Sequence, residues 1–275
     1  MKNILLSLLL SAMAFSFSCS GSADEPMPTD PEPSQPEGKA IKILSYNIHH
    51  ANPPSRPDHI DMAAIAKVII DSEADLVGLQ EIDAHTERSG TDLHQAEKLA
   101  GLTGMHFYFS KSIDYQGGAY GTAILSKYPL SDTLTQQLPA EEGTEPRILS
   151  VATVELENGA KIKFANTHLD YTAAANALSQ AKAITEYFAD EELPLILVGD
   201  FNATPDSETI THLDGHFTRT CRSVCAPTVP VINPTRAIDF IMFKNPESFT
   251  VQSHQVIEET YASDHRPVVA TLLLR

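Results

Sequence analysis

Leu195-Ile196-Leu197-Val198-Gly199-Asp200-Phe201-Asn202 is a short apolar run that closes on a glycine, an acid and, two residues further on, an amide. An apolar run of this length reads as a buried strand. Gly199 permits a tight approach. Asp200 and Asn202 project the same way if the strand continues, because alternate side chains of a strand share a face. An acid and an amide so placed can hold and orient one water. A strand end is a good position for chemistry, since it presents a side chain to a shared cleft while its own backbone stays rigid.

The same arrangement recurs on both sides of this stretch. Downstream, Ile238-Asp239-Phe240-Ile241 sets one acid inside an apolar strand, and Ser263-Asp264-His265-Arg266-Pro267 places Asp-His just before the last strand. An Asp bonds its immediate His neighbour poorly. Asp264 is therefore free for a metal, and His265 needs another carboxylate, for which Asp239 is the natural candidate. Such a pairing would raise the basicity of the imidazole and fix its orientation. Upstream, Asn166-Thr167-His168 offers an imidazole suited to a phosphate oxygen, or a structural histidine. Leu79-Gln80-Glu81 ends a buried strand on a carboxylate, which is costly there unless it is paired or metal-bound; the reading is a Mg²⁺ ligand or a solvated loop acid. Ser45-Tyr46-Asn47 offers an amide that can orient a carboxylate or donate to phosphate, or a turn-forming Asn.

The connecting segments alternate in type. Ile41–Tyr46, Leu76–Gln80, Thr122–Ser126, Ala237–Phe243 and Val268–Leu274 read as strands. Ile148–Leu156 and Lys161–Thr167 form a hairpin about Asn158-Gly159. Asp61–Asp71, Leu93–Ala100 (ending near Gly101) and Ala173–Asp190 carry helical spacing. Mixed strands and helices, with hairpins beside helical crossovers, predict two packed sheets flanked by helices in one α/β domain over residues 40–275.

The chain has 275 residues, 19 Lys+Arg against 36 Asp+Glu, and a net charge of −17. This surface disfavours a passive nucleic-acid coat, because phosphate backbones repel it. It leaves room for a nuclease, since a metal and a local basic patch can handle one phosphate. Residues 1–19 read as an export signal: Lys2, an apolar run Ile4–Ala14, then small residues up to Cys19. They resemble a bacterial lipoprotein signal, with Cys19 as the lipidated residue. Ser16 stands where an aliphatic residue is usual; plain signal cleavage and a retained hydrophobic tail are the alternatives. Residues 20–39, with Pro26, Pro28, Pro31, Pro33 and Pro36, form a linker too polar and too Pro-rich to fold. The expected location is the bacterial cell envelope, with a lipid anchor in the outer membrane or facing the periplasm, and with membrane contact only through that anchor. Cys221 and Cys225 lack the second pair of a zinc site; they are a local disulfide or two free thiols.

Taken in order, LSYNIHH, LQEID, GTAILSKYPL, EPRIL, NTHLD, GDFNATP, IDFI and SDHRPV resemble the endonuclease/exonuclease/phosphatase superfamily from about Ile41 to Leu274. GDFN followed by SDH is the most specific part. The resemblance implies a four-layered α/β sandwich with its cleft at one end of two packed sheets. It implies a divalent ion, Mg²⁺ with Mn²⁺ as the alternative, held by Asn47, Glu81 and Asp264. Asp200 would orient or deprotonate water with Asn202 beside it, and His168 and His265 would bind the phosphate, with Asp239 behind His265. Arg147 matches a family arginine, and Tyr120 would line the cleft. His49 and Arg88 would contact a second phosphate or a head group, or belong to solvated loops. The expected activity is hydrolysis of a phosphate ester, monoester or diester and lipid- or sugar-linked, by a monomer. The rivals are an exported nuclease, disfavoured by the absence of Trp and of any basic run, and a non-catalytic binding module. Specificity is expected in loops 83–95, 110–120 and 211–235, which fold analogy does not reach.

Overall fold

Two parallel strand pairs organise the molecule, and each is made by one right-angled step of sequence logic: an apolar strand, an amphipathic helix and a second apolar strand. In the computed structural model, which describes residues 38–221 and 224–275, β1 (Lys39–Asn47), α1 (Met62–Ser72) and β2 (Leu76–Ala84) form the first such unit. The export signal, Cys19 and residues 20–37 of the linker lie outside the described residues; Lys39, assigned to the linker, is already the first residue of β1. After α2 (Gln95–Thr103), β3 (His106–Tyr115) and β4 (Gly118–Ser126) make a hairpin; β5 (Leu130–Gln137), β6 (Ile148–Glu155) and β7 (Lys161–His168) follow. The second unit is β7, α3 (Ala174–Tyr187) and β8 (Leu195–Asp200). The chain ends with α4 (Glu208–Asp214), β9 (Thr218–Arg219), β10 (Asp239–Lys244), β11 (Phe249–Val256) and β12 (Val268–Leu274).

The strands build two six-stranded sheets, in the orders β11-β12-β1-β2-β4-β3 and β5-β6-β7-β8-β10-β9. Among the described residues, β1/β2 and β7/β8 are the parallel pairs and the other pairings are antiparallel. Three apolar layers follow. Ile41, Ile43, Leu76 and Ile124 of one sheet meet Phe164, Ile196, Val198 and Ile241 of the other. The outer face of the first sheet packs on Ile65, Val68 and Ile69 of α1 and Leu99 of α2. The outer face of the second packs on Ala181 and Ile184 of α3 and on Ile210 and Leu213 of α4. This is the layered sandwich that the sequence predicts, helix–sheet–sheet–helix. The central strands are buried on both faces, which is why they read as nearly continuous apolar runs.

Close sheet contact is set at Gly78. A Cβ there would fall 2.2 Å from Cγ2 of Val198 and 3.0 Å from Asn166. Asn166, fully buried on β7, clasps the opposing sheet. Its Nδ2 donates to the carbonyls of Leu79 and Ala123 at 2.9 Å each, and its Oδ1 accepts from Gln80 Nε2 at 2.7 Å. Those carbonyls border the bulge in the β2–β4 register between Leu79 and Ile82.

The structure departs from the sequence expectations at several boundaries. The second helix runs through Gly101 to Thr103 and ends at Gly104, whose left-handed conformation (φ 69°) closes it. Residues 110–120, expected as a loop, are largely the β3–β4 hairpin, turning at Gln116-Gly117. The third helix is shorter than 173–190 at both ends. Among the described residues no helix is long and apolar enough to cross a membrane.

Candidate active site

The C-terminal ends of the four parallel strands converge, and each ends on a polar residue. Asn47 closes β1, His168 closes β7 and Asp200 closes β8, while Glu81 lies in the last part of β2. In the sheet register Asp200 stands beside His168 on one side and opposite Asp239 on the other. Ligand sites of α/β sheets form at such carboxyl ends.

Local backbone irregularity aims two of these groups. Glu81 sits within the β2 bulge with φ of 60°, left-handed for a residue that has a Cβ. A bulge re-aims one side chain and bends the strand. Asn202 has φ of 48° and lies beyond β8, which stops at Asp200. The expectation that strand alternation points Asp200 and Asn202 the same way is therefore corrected. Instead the Asn202 N–H holds Asp200 Oδ1 at 2.9 Å, and its amide donates to the Leu169 carbonyl at 3.0 Å.

Asn47 is the hub. Its Nδ2 donates to Glu81 Oε1 and to Asp200 Oδ2, both at 3.0 Å, joining a carboxylate of one sheet to a carboxylate of the other. Its Oδ1 accepts the His49 N–H at 3.0 Å, so only a remaining lone pair is available to a cation. The Ser263 hydroxyl donates to the Asn47 carbonyl at 2.7 Å and pins the Asp264-His265 segment to the same strand end.

His265 Nδ1 lies 2.9 Å from Asp239 Oδ2, as its sequence pairing anticipates, and its Nε2 lies 3.6 Å from Asp200 Oδ2. His168 Nε2 approaches the same oxygen at 3.5 Å. Thr228 donates to Asp239 Oδ2 at 2.5 Å from a remote loop. Burial opposes a charge on His265, but Asp239 and Asp200 together outweigh it and carry its pKa to about 10. Burial, then Asp239, push Asp200 up to about 7 against the pull of His265 and Asn47. His168 is held neutral by burial, and then by Arg147 and His265.

Two groupings offer cation ligands. Asp200, Asp239 and His265 present donor atoms within 4.8 Å of one another. Their lone pairs, however, are already directed at Asn47, Asn202, Thr228 and each other. Glu81 and Asp264 are the second grouping: burial raises the Glu81 carboxyl most, the Asn47 hydrogen bond opposes, and the charge of Asp264 raises it further. Two oxygen donors whose mutual repulsion a cation would relieve suit a hard ion such as Mg²⁺ or Mn²⁺.

The outlying residues are placed as follows. Arg147 is buried, with its Nη1 3.2 Å from Glu145 and its Nε without a hydrogen-bond partner. Tyr120 lines an open pocket with Glu81, Arg88, Ile113, Tyr115 and Glu145. Arg88 is not a free cation: its Nε and Nη2 grip the buried Asp83 at 2.7 and 2.9 Å. His49 Nδ1 is engaged with the Asn52 carbonyl at 2.9 Å. Cys221 and Cys225 form a disulfide with Cα atoms 5.0 Å apart, away from this cluster in a wall that packs behind β10. Sequence reasoning missed Thr228, whose loop carries no pattern, and Asn166, whose signal was its place two residues before His168 on the same strand.

Residues 44–265 match the endonuclease/exonuclease/phosphatase family. The uncharacterised protein YbhP of Escherichia coli is 25% identical over 256 residues, covering 88% of this chain and all of YbhP. An endonuclease/exonuclease/phosphatase structure from Beutenbergia cavernae superposes with a TM-score of 0.74 at 24% identity, covering 86% of this chain and 72% of that one. The mannosyl-6-phosphatase Bt3783 of Bacteroides thetaiotaomicron gives 0.70 at 21% identity, covering 84% and 99%. At these identities the structural likenesses speak to the fold.

Proposed function

Because the chain belongs to the endonuclease/exonuclease/phosphatase family, whose members hydrolyse phosphate esters, we propose that it is a divalent-metal-dependent phosphoesterase that works by direct attack of water. One observation carries the reading. A single buried oxygen, Asp200 Oδ2, is met by the Asn47 amide and by the Nε2 atoms of two histidines, one of them backed by Asp239. A structural cluster has no use for so many groups on one carboxylate, whereas a water and a phosphoryl group between them would use each.

Asp200 holds the attacking water and takes its proton; a pKa of about 7 suits exchange at neutral pH. His265, kept charged by Asp239, donates Nε2–H to a phosphoryl oxygen, and neutral His168 donates from the other side. The unpaired Arg147 Nε supplies a further donor from a buried position. Glu81 and Asp264, with Asn47 fixing Glu81, would hold a divalent cation, which would supply charge neutralisation at a phosphate oxygen. Fixed donors aimed at developing charge do not reorganise during reaction, and that is their advantage over water.

Export through the Cys19 signal belongs to the proposal and favours substrates outside the cytoplasm. The test is hydrolysis of a monoester and diester panel, with plasmid DNA as one member, in Mg²⁺ or Mn²⁺. Wild type is compared with Asp200→Ala and His265→Ala. Turnover by wild type that collapses in both variants is expected; equal rates in all three would sink the reading.

A further inference from the structure

The edge of the second sheet is finished by a chain excursion that ends in the active site. β9 pairs Thr218 with Phe243 and Arg219 with Met242, and Thr220 prolongs the pairing by donating its N–H to the Ile241 carbonyl at 3.0 Å. Continued in that register, the third residue after Arg219 would stand against Asp239. The residue that reaches Asp239 is instead Thr228, nine positions after Arg219.

Thr228 clamps both halves of the buried Asp239–His265 pair. Its Oγ1 donates to Asp239 Oδ2, the oxygen that also takes the His265 Nδ1–H at 2.9 Å. Its carbonyl accepts the N–H of Arg266, the residue after His265, at 2.9 Å, and its own N–H donates to the Arg236 carbonyl at 2.8 Å. These two backbone bonds hold it from the downstream side.

The upstream side is held differently. Among the described residues, Cys221, Val224, Cys225, Ala226 and Pro227 make no backbone hydrogen bond, and Val224 is 80% exposed. What closes the excursion is the Cys221–Cys225 disulfide. Cys221 follows the pinned Thr220 and is buried in the cluster that holds Phe240 and Met242 of β10. Cys225 stands three residues before Thr228, a tether of at most about 10 Å, stiffened by the fixed φ of Pro227. Arg219 seats the bridge: its Nε and Nη2 grip Asp214 at the end of α4 at 2.7 and 2.8 Å, and its Nη1 lies 3.1 Å from Cys225 Sγ.

A bridge this short does little to the unfolded chain. Its entropic effect grows with the length of the closed loop, and the sequence separation is only 4. Its effect is therefore on local geometry. We propose that the Cys221–Cys225 disulfide is a positioning element for the Asp239–His265 pair, acting through Thr228. The consequence for rate rests on the phosphoesterase reading; the consequence for the pair itself is readable without turnover.

The test uses the full chain in three forms: wild type, wild type reduced with a phosphine, and Cys221→Ser/Cys225→Ser. A gain of two free thiols on reduction confirms the opened bridge, and far-UV circular dichroism follows the fold. Ring ¹⁵N shifts of His265, on histidine-labelled protein, report its bond to Asp239. Opening the bridge is expected to move these shifts and to lower kcat for p-nitrophenyl phosphate about tenfold, within the ~100-fold that a misplacement of about 1 Å far from the chemistry can cost. The far-UV signal is expected to stay. Thr228→Val, which removes the donor and keeps the bridge, is expected to produce the same two changes. Opening the bridge in that background is then expected to add less than about twofold, as for residues acting in one chain of contacts.

Unchanged shifts in the folded, bridge-free protein overturn the proposal, as does an unchanged kcat where wild type is active. Fully additive effects of Thr228→Val and bridge opening also overturn it, because the bridge then acts elsewhere. Loss of the far-UV signal in both bridge-free forms makes the bridge a global staple and overturns it too. If wild type turns over no ester, the phosphoesterase reading falls, and the ¹⁵N shifts alone decide the positioning.

Discussion

Replacing Asn166 by Ala tests whether the two sheets are locked together by polar contacts as well as by apolar packing. The side chain makes three buried hydrogen bonds to the opposite sheet, to Leu79, Ala123 and Gln80. Each is worth roughly 0.5–1.5 kcal/mol net, and an orphaned buried acceptor costs roughly 1–3 kcal/mol. The Leu79 and Ala123 carbonyls flank the bulge where the β2–β4 ladder is broken, so they have few other donors. Water entering the vacated space would recover part of the loss. The expected destabilisation is about 3 kcal/mol, which for a domain of this size lowers Tm by roughly 6–12 °C. Urea titration followed by far-UV circular dichroism and by tyrosine fluorescence measures it, coincident curves showing that one transition is being read. The same bulge aims Glu81, so affinity for Mg²⁺ should fall as well. A loss below about 1 kcal/mol, no more than an average hydrogen bond, would refute the clasp.

Three further outcomes are expected. Asp239→Asn removes the charge behind His265; kcat should fall about 100-fold or more, and the alkaline limb of the pH–rate profile, set in wild type by a His265 pKa of about 10, should move toward lower pH. Mg²⁺ or Mn²⁺ should raise the melting temperature of wild type but not of Glu81→Gln or Asp264→Asn, read by differential scanning calorimetry. Asp61 caps α1 by accepting from Ala64 N at 3.0 Å, and that bond, with the Tyr261 hydroxyl, holds its pKa down against burial. Its folded pKa lies below the unfolded value, so its stabilisation is present at neutral pH and is lost as pH falls through the folded pKa; Asp61→Ala should cost about 1 kcal/mol at pH 7 and lose that acid-dependent part in urea melts.

The interior of the fold was legible and its edges were not, for one physical reason. β1, β2, β8, β10 and β12 are largely buried and read as apolar runs, β6 and β7 were read through the hairpin at Asn158-Gly159, and α1 shows its buried stripe of Ile65, Val68 and Ile69. The strands that went unread are β3, β5, β9 and β11, and these four are the outer strands of the two sheets. An edge strand carries polar residues on its exposed side and flank, which protects it from pairing with another chain and also erases its alternation. β5, Leu-Ser-Asp-Thr-Leu-Thr-Gln-Gln, is mostly exposed and resembles a loop in every local respect. It pairs with β6, which is itself paired with β7 on its other side.

The site divides along a similar line. The identities of the groups were readable because strands deliver them: Asn47, His168 and Asp200 are each the last residue of a strand. Their roles relative to one another were not, since these depend on departures from regular structure that pattern cannot express. Glu81 reaches Asn47 through a bulge and a left-handed backbone, and Asn202 leaves the strand rather than continuing it. Left-handed conformations cost of order 1–3 kcal/mol at residues bearing a Cβ and persist only where surrounding contacts over-determine them. Here the contacts are visible: Asn47 on Glu81, and the Leu169 carbonyl and Asp200 on Asn202. The decisive motif around Asp200 is therefore sharper than alternation implied. Asn202 is bound to the backbone and serves to hold Asp200, and the amide that faces both carboxylates belongs to Asn47, 153 residues away in sequence. Two sheets packed closely enough for one amide to span both acids are what turn four strand ends into one centre, and the Gly78–Val198 contact sets that spacing.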